Sequence, residues 1–303
     1  MNYLSGVRKL VYLINPISGT AKKKSLREMI ETRTAAENLP FEILPTDKDG
    51  DYEWLAKKVA VEKITDVIIC GGDGTVNGVA THLHGLDVNI GIVPMGSGNG
   101  LAFTAGIPVS PGKALDVIFR GNASPVDGFY INDRFSCMLC GIGFDAQVAH
   151  DFAKEKRRGL QTYIRISAMN YFNAKAYPFT IKSKESTFEG EAFFLCIANS
   201  NQFGNNFTIA PKASLNDGLV DIVIIRKMSK LTMPFSIISQ ATGFNALQKS
   251  DSKFRRQNII YFQTSELTVI NHKLAPLHID GDPVETEEKF KIKVLRNAFR
   301  LLA

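Results

Sequence analysis

Asp66-Val67-Ile68-Ile69-Cys70-Gly71-Gly72-Asp73-Gly74-Thr75-Val76-Asn77 decides the fold. Val67 to Cys70 is an apolar run of strand length, and glycines follow it. Val76, Val79, Ala80 and Leu83 then recur at the spacing of a buried helix face. A strand feeding a helix through glycines is the repeating unit of a parallel α/β sheet. The same alternation extends upstream. Residues 9–14 (KLVYLI) read as a strand closed by Asn15-Pro16-Ile17-Ser18-Gly19, and residues 22–38 as a basic amphipathic helix with Leu26, Met29 and Ile30 on one face. Residues 41–44 read as a second strand, and residues 52–63 as a helix with Leu55 and Val59 inward. Downstream, residues 89–93 form a fourth strand, and Pro94-Met95-Gly96-Ser97-Gly98-Asn99 leads into another helix.

The pattern changes near Gly121. Short β-rich runs follow at 134–141, 179–183, 192–199, 219–225, 259–262, 267–270 and 289–295, with helical insertions expected at 151–172 and 231–247. This composition predicts an antiparallel sandwich or barrel. The boundary between the two domains is expected near residue 125.

The chain of 303 residues is 45% hydrophobic and 22% charged, which suits a globular protein with a real core and argues against long disorder. Its net charge of +6 and pI near 9.0 suit a nucleotide, an anionic membrane or nucleic acid without choosing between them. No helix-turn-helix or zinc pattern appears and the basic residues are scattered, so nucleic acid is not expected as a partner. The N-terminus lacks a secretory pattern, and no uncharged run approaches the length of about 20 residues that crosses a bilayer, so membrane contact is expected to be peripheral. Cys70, Cys137, Cys140 and Cys196 each lie in apolar runs and read as small buried hydrophobes in a reducing compartment. The Cys137/Cys140 spacing has no second pair to complete a metal site.

Three loops carry the chemistry: residues 15–19, 71–77 and 95–100. All leave the carboxyl ends of predicted strands, where open α/β sheets bind ligands. Glycines let backbone N–H groups approach phosphate oxygens, and the helix N-terminus adds unpaired donors. Asp73 would be repelled by phosphate, so it suits Mg²⁺ or a proton-accepting role; a plain Gly-Asp-Gly turn is the alternative. The Walker pattern is absent, and the first turn lacks the dinucleotide fingerprint.

The series Asn15-Pro16-Ile17-Ser18-Gly19, Gly71-Gly72-Asp73-Gly74-Thr75 and Pro94-Met95-Gly96-Ser97-Gly98-Asn99 resembles the catalytic domain of diacylglycerol kinases and sphingosine kinases. Thr46, Asn216-Asp217-Gly218-Leu219 and His278-Ile279-Asp280-Gly281-Asp282 extend the similarity over nearly the whole chain. The resemblance implies a two-domain α/β fold: an N-terminal Rossmann-like parallel-sheet nucleotide-binding domain, residues 1–125 completed by 294–303, and a C-terminal antiparallel β-sandwich domain, residues 126–293. It further implies an ATP- and Mg²⁺-dependent kinase acting on a lipid hydroxyl. ATP is expected near Asn15, Pro16, Ser18, Gly19, Thr46, Gly71, Gly72, Asp73, Gly74, Thr75, Asn77 and Ser97, and between the domains. Asp217, with the carbonyls of Ser214 and Leu219, resembles the family's Mg²⁺ site, although Asn-Asp-Gly also fits an ordinary hairpin turn.

Two departures bear on mechanism. Gly100 stands where many bacterial diacylglycerol kinases have Asp, and Asp282 replaces the Glu of the late motif, shortening it by one methylene. Asp73 and Asp282 are therefore both carried as candidate catalytic residues. Arg157 and Arg158 read either as phosphate contacts or as a solvated basic stretch. The following helix, with Tyr163, Ile164, Ile166, Met169, Tyr171 and Phe172, reads as core packing or as a support for an acyl chain. The expected partners are a membrane lipid substrate and a peripheral membrane surface, with a homodimer left open. The competing readings are a kinase for a soluble acceptor such as NAD and a binding protein without catalysis.

Overall fold

Four strands run parallel in the first part of the chain because each is a short apolar run that a helix returns to the same edge. The structure, a computed structural model, describes residues 7–14, 21–155, 160–184, 186–202, 208–227 and 259–303. Its contacts divide the chain into two units, Met1–Val126 with Asn297–Ala303, and Asp127–Arg296.

In the first unit, β1 (Leu10–Ile14), β2 (Phe41–Pro45), β3 (Asp66–Gly71) and β4 (Asn89–Pro94) alternate with α1 (Ala21–Ala36), α2 (Glu53–Glu62) and α3 (Asp73–Leu83). The helices α4 (Gly100–Thr104) and α5 (Pro111–Arg120) follow. The end of β15 (Lys289–Leu302) joins β4 in parallel, Arg300 opposite Asn89, giving the order β15-β4-β3-β1-β2. Residues of β3 and β4 are buried on both faces, as parallel strands covered by helices require. The register sets Ile14 beside Pro45 and Cys70, and Gly71 beside Pro94, so the carboxyl ends are level. Strand order reverses direction between β1 and β3, the switch point where such sheets bind ligands.

The opposite edge is latched by polar groups. Buried Asp66 accepts hydrogen bonds from Arg8 Nε at 3.0 Å, Thr65 Oγ1 at 2.6 Å and Asn89 Nδ2 at 2.9 Å. Arg300 Nε donates in turn to Asn89 Oδ1 at 2.8 Å, which ties the last strand to the latch. Of the predicted inward residues, Leu26, Ile30, Leu55, Val59, Val76, Val79, Ala80 and Leu83 are buried, and Met29 is half-buried. The sequence reading did not single out α5, which has Pro111 in its first turn and Gly121 beyond its end at φ 72°.

The second unit contains β5 (Ala123–Ile131, of which 127–131 belong here), β6 (Arg134–Ser136), β7 (Leu139–Gly143), α6 (Phe144–Ala153), α7 (Leu160–Asn173), β8 (Tyr177–Ser183), β9 (Thr187–Ala198), β10 (Val220–Arg226), β11 (Ile259–Thr264), β12 (Glu266–Asn271), β13 (Leu277–Ile279), β14 (Asp282–Val284) and the first part of β15. The order β14-β13-β7-β9-β8-β12-β15 is antiparallel, and β10 with β11 pairs onto β9. Long β9 is flanked by β8 through Ala192 and by β7 from Phe194 onward. Its alternation sends Leu195 and Ile197 into one apolar cluster and Phe194, Cys196 and Ala198 into another.

Two expectations are corrected. The single strand predicted over 134–141 is broken at Cys137-Met138, because the N–H groups of Cys137, Met138 and Leu139 turn to the Asp280 carboxylate at 3.3, 3.2 and 2.8 Å. The single helix predicted over 151–172 is two, α6 beginning before it and α7 ending it. The helix predicted over 231–247 lies outside the described residues. All four cysteines are buried thiols outside any disulfide, and burial pushes the Cys140 and Cys196 thiols up, which makes these two unreactive packing groups.

Candidate functional site

Gly71 and Gly72 end β3, and Asp73 opens α3. Gly72 is extended at the N-cap position and no side chain caps the helix, so its first N–H groups keep their capacity for an anion. The second loop is zipped to the first: Met95 N–H donates to Gly71 O at 2.9 Å. Gly72 and Gly96 pack backbone to backbone, where a side chain on either would collide. Asn99, in the left-handed region at φ 54°, clips the second loop with both ends of its amide. Its Oδ1 accepts Gly96 N–H at 2.9 Å and its Nδ2 donates to Gly96 O at 2.8 Å.

A small pocket results, lined by Gly71, Gly72, Asp73, Val76, Ile92, Asn99, Leu101 and Ala102. Ser97 and Gly74 are exposed beside it, and Thr75 is half-buried. Asn77 Oδ1, in the second turn of α3, is buried without a hydrogen-bond partner among the described residues. Thr46 follows β2, and its N–H donates to Ile14 O at 3.2 Å, so it sits at the same level edge as the glycine loops. Asn15, Pro16, Ser18, Gly19 and Arg157 lie outside the described residues. The glycine cradle, the uncapped helix and the carboxylate of Asp73 fit a nucleotide phosphate group with its cation.

The turn Ser214 to Leu219 belongs to the second unit. Asp217 Oδ1 accepts Leu219 N–H at 3.0 Å, and Gly218 takes φ 76°. Gly218 N–H donates to Oδ2 of buried Asp127 at 2.7 Å. Partial burial pushes the Asp217 carboxyl up, and the nearby Asp127 charge adds to this. No group of three His, Cys, Asp or Glu side chains among the described residues is arranged for a metal. A cation here would lean on one carboxylate and the carbonyls of Ser214 and Leu219, an all-oxygen set suited to Mg²⁺.

The late motif forms the hairpin β13–β14. Asp280 and Gly281 both have positive φ, 50° and 87°, as its tight turn demands. Asp280 is buried and accepts Ser136 Oγ–H at 2.7 Å besides the three backbone N–H groups named above. Burial nevertheless pushes its carboxyl up to about 6, against the pull of those donors. His278 Nδ1 accepts Gly281 N–H at 3.2 Å, so its Nε2 carries the proton toward Asp145 Oδ2 at 3.4 Å. Asp282, by contrast, is exposed at the start of β14. Asp280, His278, Asn99 and Gly96 were absent from the residues given roles by sequence; each stood inside a quoted motif, which was the available signal.

No described helix is long and apolar enough to cross a membrane. Among known proteins, the Salmonella arizonae protein named "Probable lipid kinase YegS" is 29% identical over 288 residues, covering 93% of this chain and 92% of its own. Its Salmonella typhimurium namesake is 28% identical over 289 residues, with the same coverage of 93% and 92%. Two crystal structures from Bacillus anthracis share the fold. One, described as a candidate diacylglycerol kinase, has a TM-score of 0.79 at 20% identity and covers 99% of this chain and 98% of its own. Another, described as a diacylglycerol kinase, has a TM-score of 0.75 at 19% identity with the same coverage of 99% and 98%. Residues 9–131 match the diacylglycerol kinase catalytic domain, and residues 139–303 match the YegS C-terminal NAD kinase beta sandwich-like domain. With both units matched in order along the chain, this protein belongs to the YegS and diacylglycerol kinase family of lipid kinases.

Proposed function

We propose that this protein transfers the γ-phosphoryl group of ATP to a hydroxyl on a membrane lipid, a diacylglycerol or sphingoid-base-like alcohol. The carrying observation is the backbone contact of Gly72 with Gly96 beside Asp73, which makes one glycine-lined cradle from two loops. Phosphoryl transfer asks mainly for positioning and charge neutralisation. The N–H groups at the start of α3 would hold phosphate oxygens, with Thr46, Thr75, Asn77 and Ser97 around the nucleotide. Asp73 would hold the cation or take the proton of the acceptor hydroxyl, and Asp282 is the other candidate for that proton. Bound Mg²⁺ would supply neutralisation of phosphate charge, and Asp217 with the Ser214 and Leu219 carbonyls would hold a structural cation.

The protein would work in the cytoplasm and meet its substrate as a peripheral membrane protein. Radiolabelled ATP with a mixed lipid extract, followed by mass analysis of the product, tests the proposal. A phosphorylated lipid is expected, and ATP turnover without one would sink it. The NAD kinase-like character of the matched second-domain family favours one rival, phosphorylation of a soluble acceptor. NAD offered in the same assay separates the two.

A further inference from the structure

We propose that Asp145 and His278 are positioning residues that fix the hairpin turn from which Asp282 meets the acceptor hydroxyl. The inference rests on the lipid-kinase reading and on Asp282 as the group that takes the hydroxyl proton, and it names what aims that carboxylate.

Three elements of the second unit converge on the pair. Asp145 lies in the first turn of α6, where the helix N–H groups favour a carboxylate. His278 lies on β13, opposite Gly141 of β7 and Pro283 of β14. Both side chains cross over Gly141, and a Cβ there would run into Asp145 Oδ2 and His278 Nε2. The glycine thus makes the room in which the two meet. The Asp145 and His278 side chains are 8% and 3% exposed, and Oδ2 lies 3.4 Å from Nε2. A second tie leaves the same helix, His150 Nε2 donating to Leu277 O at 2.8 Å.

Stability alone does not account for this arrangement, because apolar side chains of the same volume often do as well as a buried charged pair. Its bonds lead to the turn instead. Asp145 Oδ1 is taken by Ala146 N–H at 2.9 Å, so Oδ2 is the atom that faces His278 Nε2. An acceptor there keeps the imidazole proton on Nε2 and leaves Nδ1 as a lone pair. Nδ1 accepts Gly281 N–H at 3.2 Å, and Gly281 immediately precedes Asp282. Asp280 is anchored on residues 136–139 and Gly281 on His278, so the turn is tied at both of its positive-φ residues.

Asp145→Asn tests this chain of bonds. Ala146 N–H still needs an oxygen, so the new amide turns its NH₂ to His278 Nε2. The imidazole then carries its proton on Nδ1, facing Gly281 N–H, and the turn loses its acceptor. With ATP and the mixed lipid extract, kcat should fall about tenfold to 10²-fold, as for a reacting group misplaced by about 1 Å. Nucleotide affinity should hold, and exchange of the Gly281 amide hydrogen should speed up. Adding His278→Asn should recover most of the lost kcat, because the Asn Oδ1 stands where Nδ1 stood. His278→Gln in the same background puts its amide at the Nε2 position and should not rescue. A role in packing alone predicts a double variant worse than the single. Nitrogen NMR of the wild-type imidazoles needs no variant to fold, and it should find the His278 proton on Nε2. A proton on Nδ1 overturns the proposal. So do near-normal kcat in Asp145→Asn, a double variant no better than the single, or full turnover in Asp282→Ala. A wild type that phosphorylates no lipid strikes the kinase reading and this proposal together, whereas a working kinase with any of those results strikes this proposal alone.

Discussion

Gly72 and Gly96 approach so closely that a Cβ on Gly72 would lie 2.9 Å from the Gly96 Cα, and one on Gly96 would lie 2.6 Å from the Gly72 Cα. Backbone cannot yield as the tip of a flexible side chain can. Gly96→Ala should therefore push the loops apart and cost about 1–3 kcal/mol, the range for overpacking. It should also weaken nucleotide binding, because the same contact shapes the cradle. Urea denaturation and nucleotide titration read the two effects, and wild-type values in both would refute the account.

Asp73→Asn should abolish phosphoryl transfer while the fold persists. The residue is partly exposed in the first turn of α3, where loss of one negative charge costs about 0.3–1 kcal/mol through the helix dipole. Asn keeps the shape but neither holds a divalent cation tightly nor takes a proton. Lipid phosphorylation, with circular dichroism as a control on folding, checks this; turnover at the wild-type rate would remove Asp73 from the mechanism.

The parallel half of the fold was legible because each strand and helix there is a local pattern: apolar run, glycine turn, then Val76, Val79, Ala80 and Leu83 at helical spacing. The glycine loops were legible as loops, but the Gly72–Gly96 contact joins residues whose strands become neighbours only through the sheet. The break at Cys137-Met138 was not legible, since it depends on Asp280, far along the chain. For the same reason the Asp280-Gly281-Asp282 motif could be recognised as a unit while burial, which separates its two carboxylates, stayed hidden. In α7 the apolar residues could be counted, but which of them face Phe152 and which face water is set by tertiary packing.

Asp221 offers a test in pH. It is buried, its Oδ1 accepts the Tyr261 hydroxyl and its Oδ2 accepts Gln263 Nε2–H at 3.2 Å. Burial pushes its carboxyl up to about 7, and the Asp217 charge adds to the shift. An unfolded Asp titrates near about 3.9, so between these values the folded chain holds a proton that the unfolded chain releases. This group's contribution is thus full below about pH 4 and is lost as pH rises through about 7. Asp221→Asn is neutral throughout, so its stability should fall less than wild type's between about pH 5 and about pH 8. Urea midpoints at the two pH values measure the difference; parallel losses would show that Asp221 does not titrate in this window.

Asp282 should matter for turnover more than for nucleotide binding. It stands exposed at the start of β14, on a hairpin whose turn is fixed from below. Asp280 is held there by Ser136 and three backbone N–H groups, and His278 accepts Gly281 N–H. A carboxylate presented on so well-anchored a turn is aimed without being buried, which suits a group that meets an incoming hydroxyl. Asp282→Ala should then lower kcat by about 10²-fold or more, the range for losing an acid–base group, with little change in ATP affinity. Asp282→Glu lengthens the reach by one methylene and should keep activity or raise it. The alanine variant is safe for the fold because the anchoring carboxylate is Asp280. If kcat stays near normal in Asp282→Ala, the hairpin is only a support, and the proton must go to Asp73 or to the substrate's own phosphate.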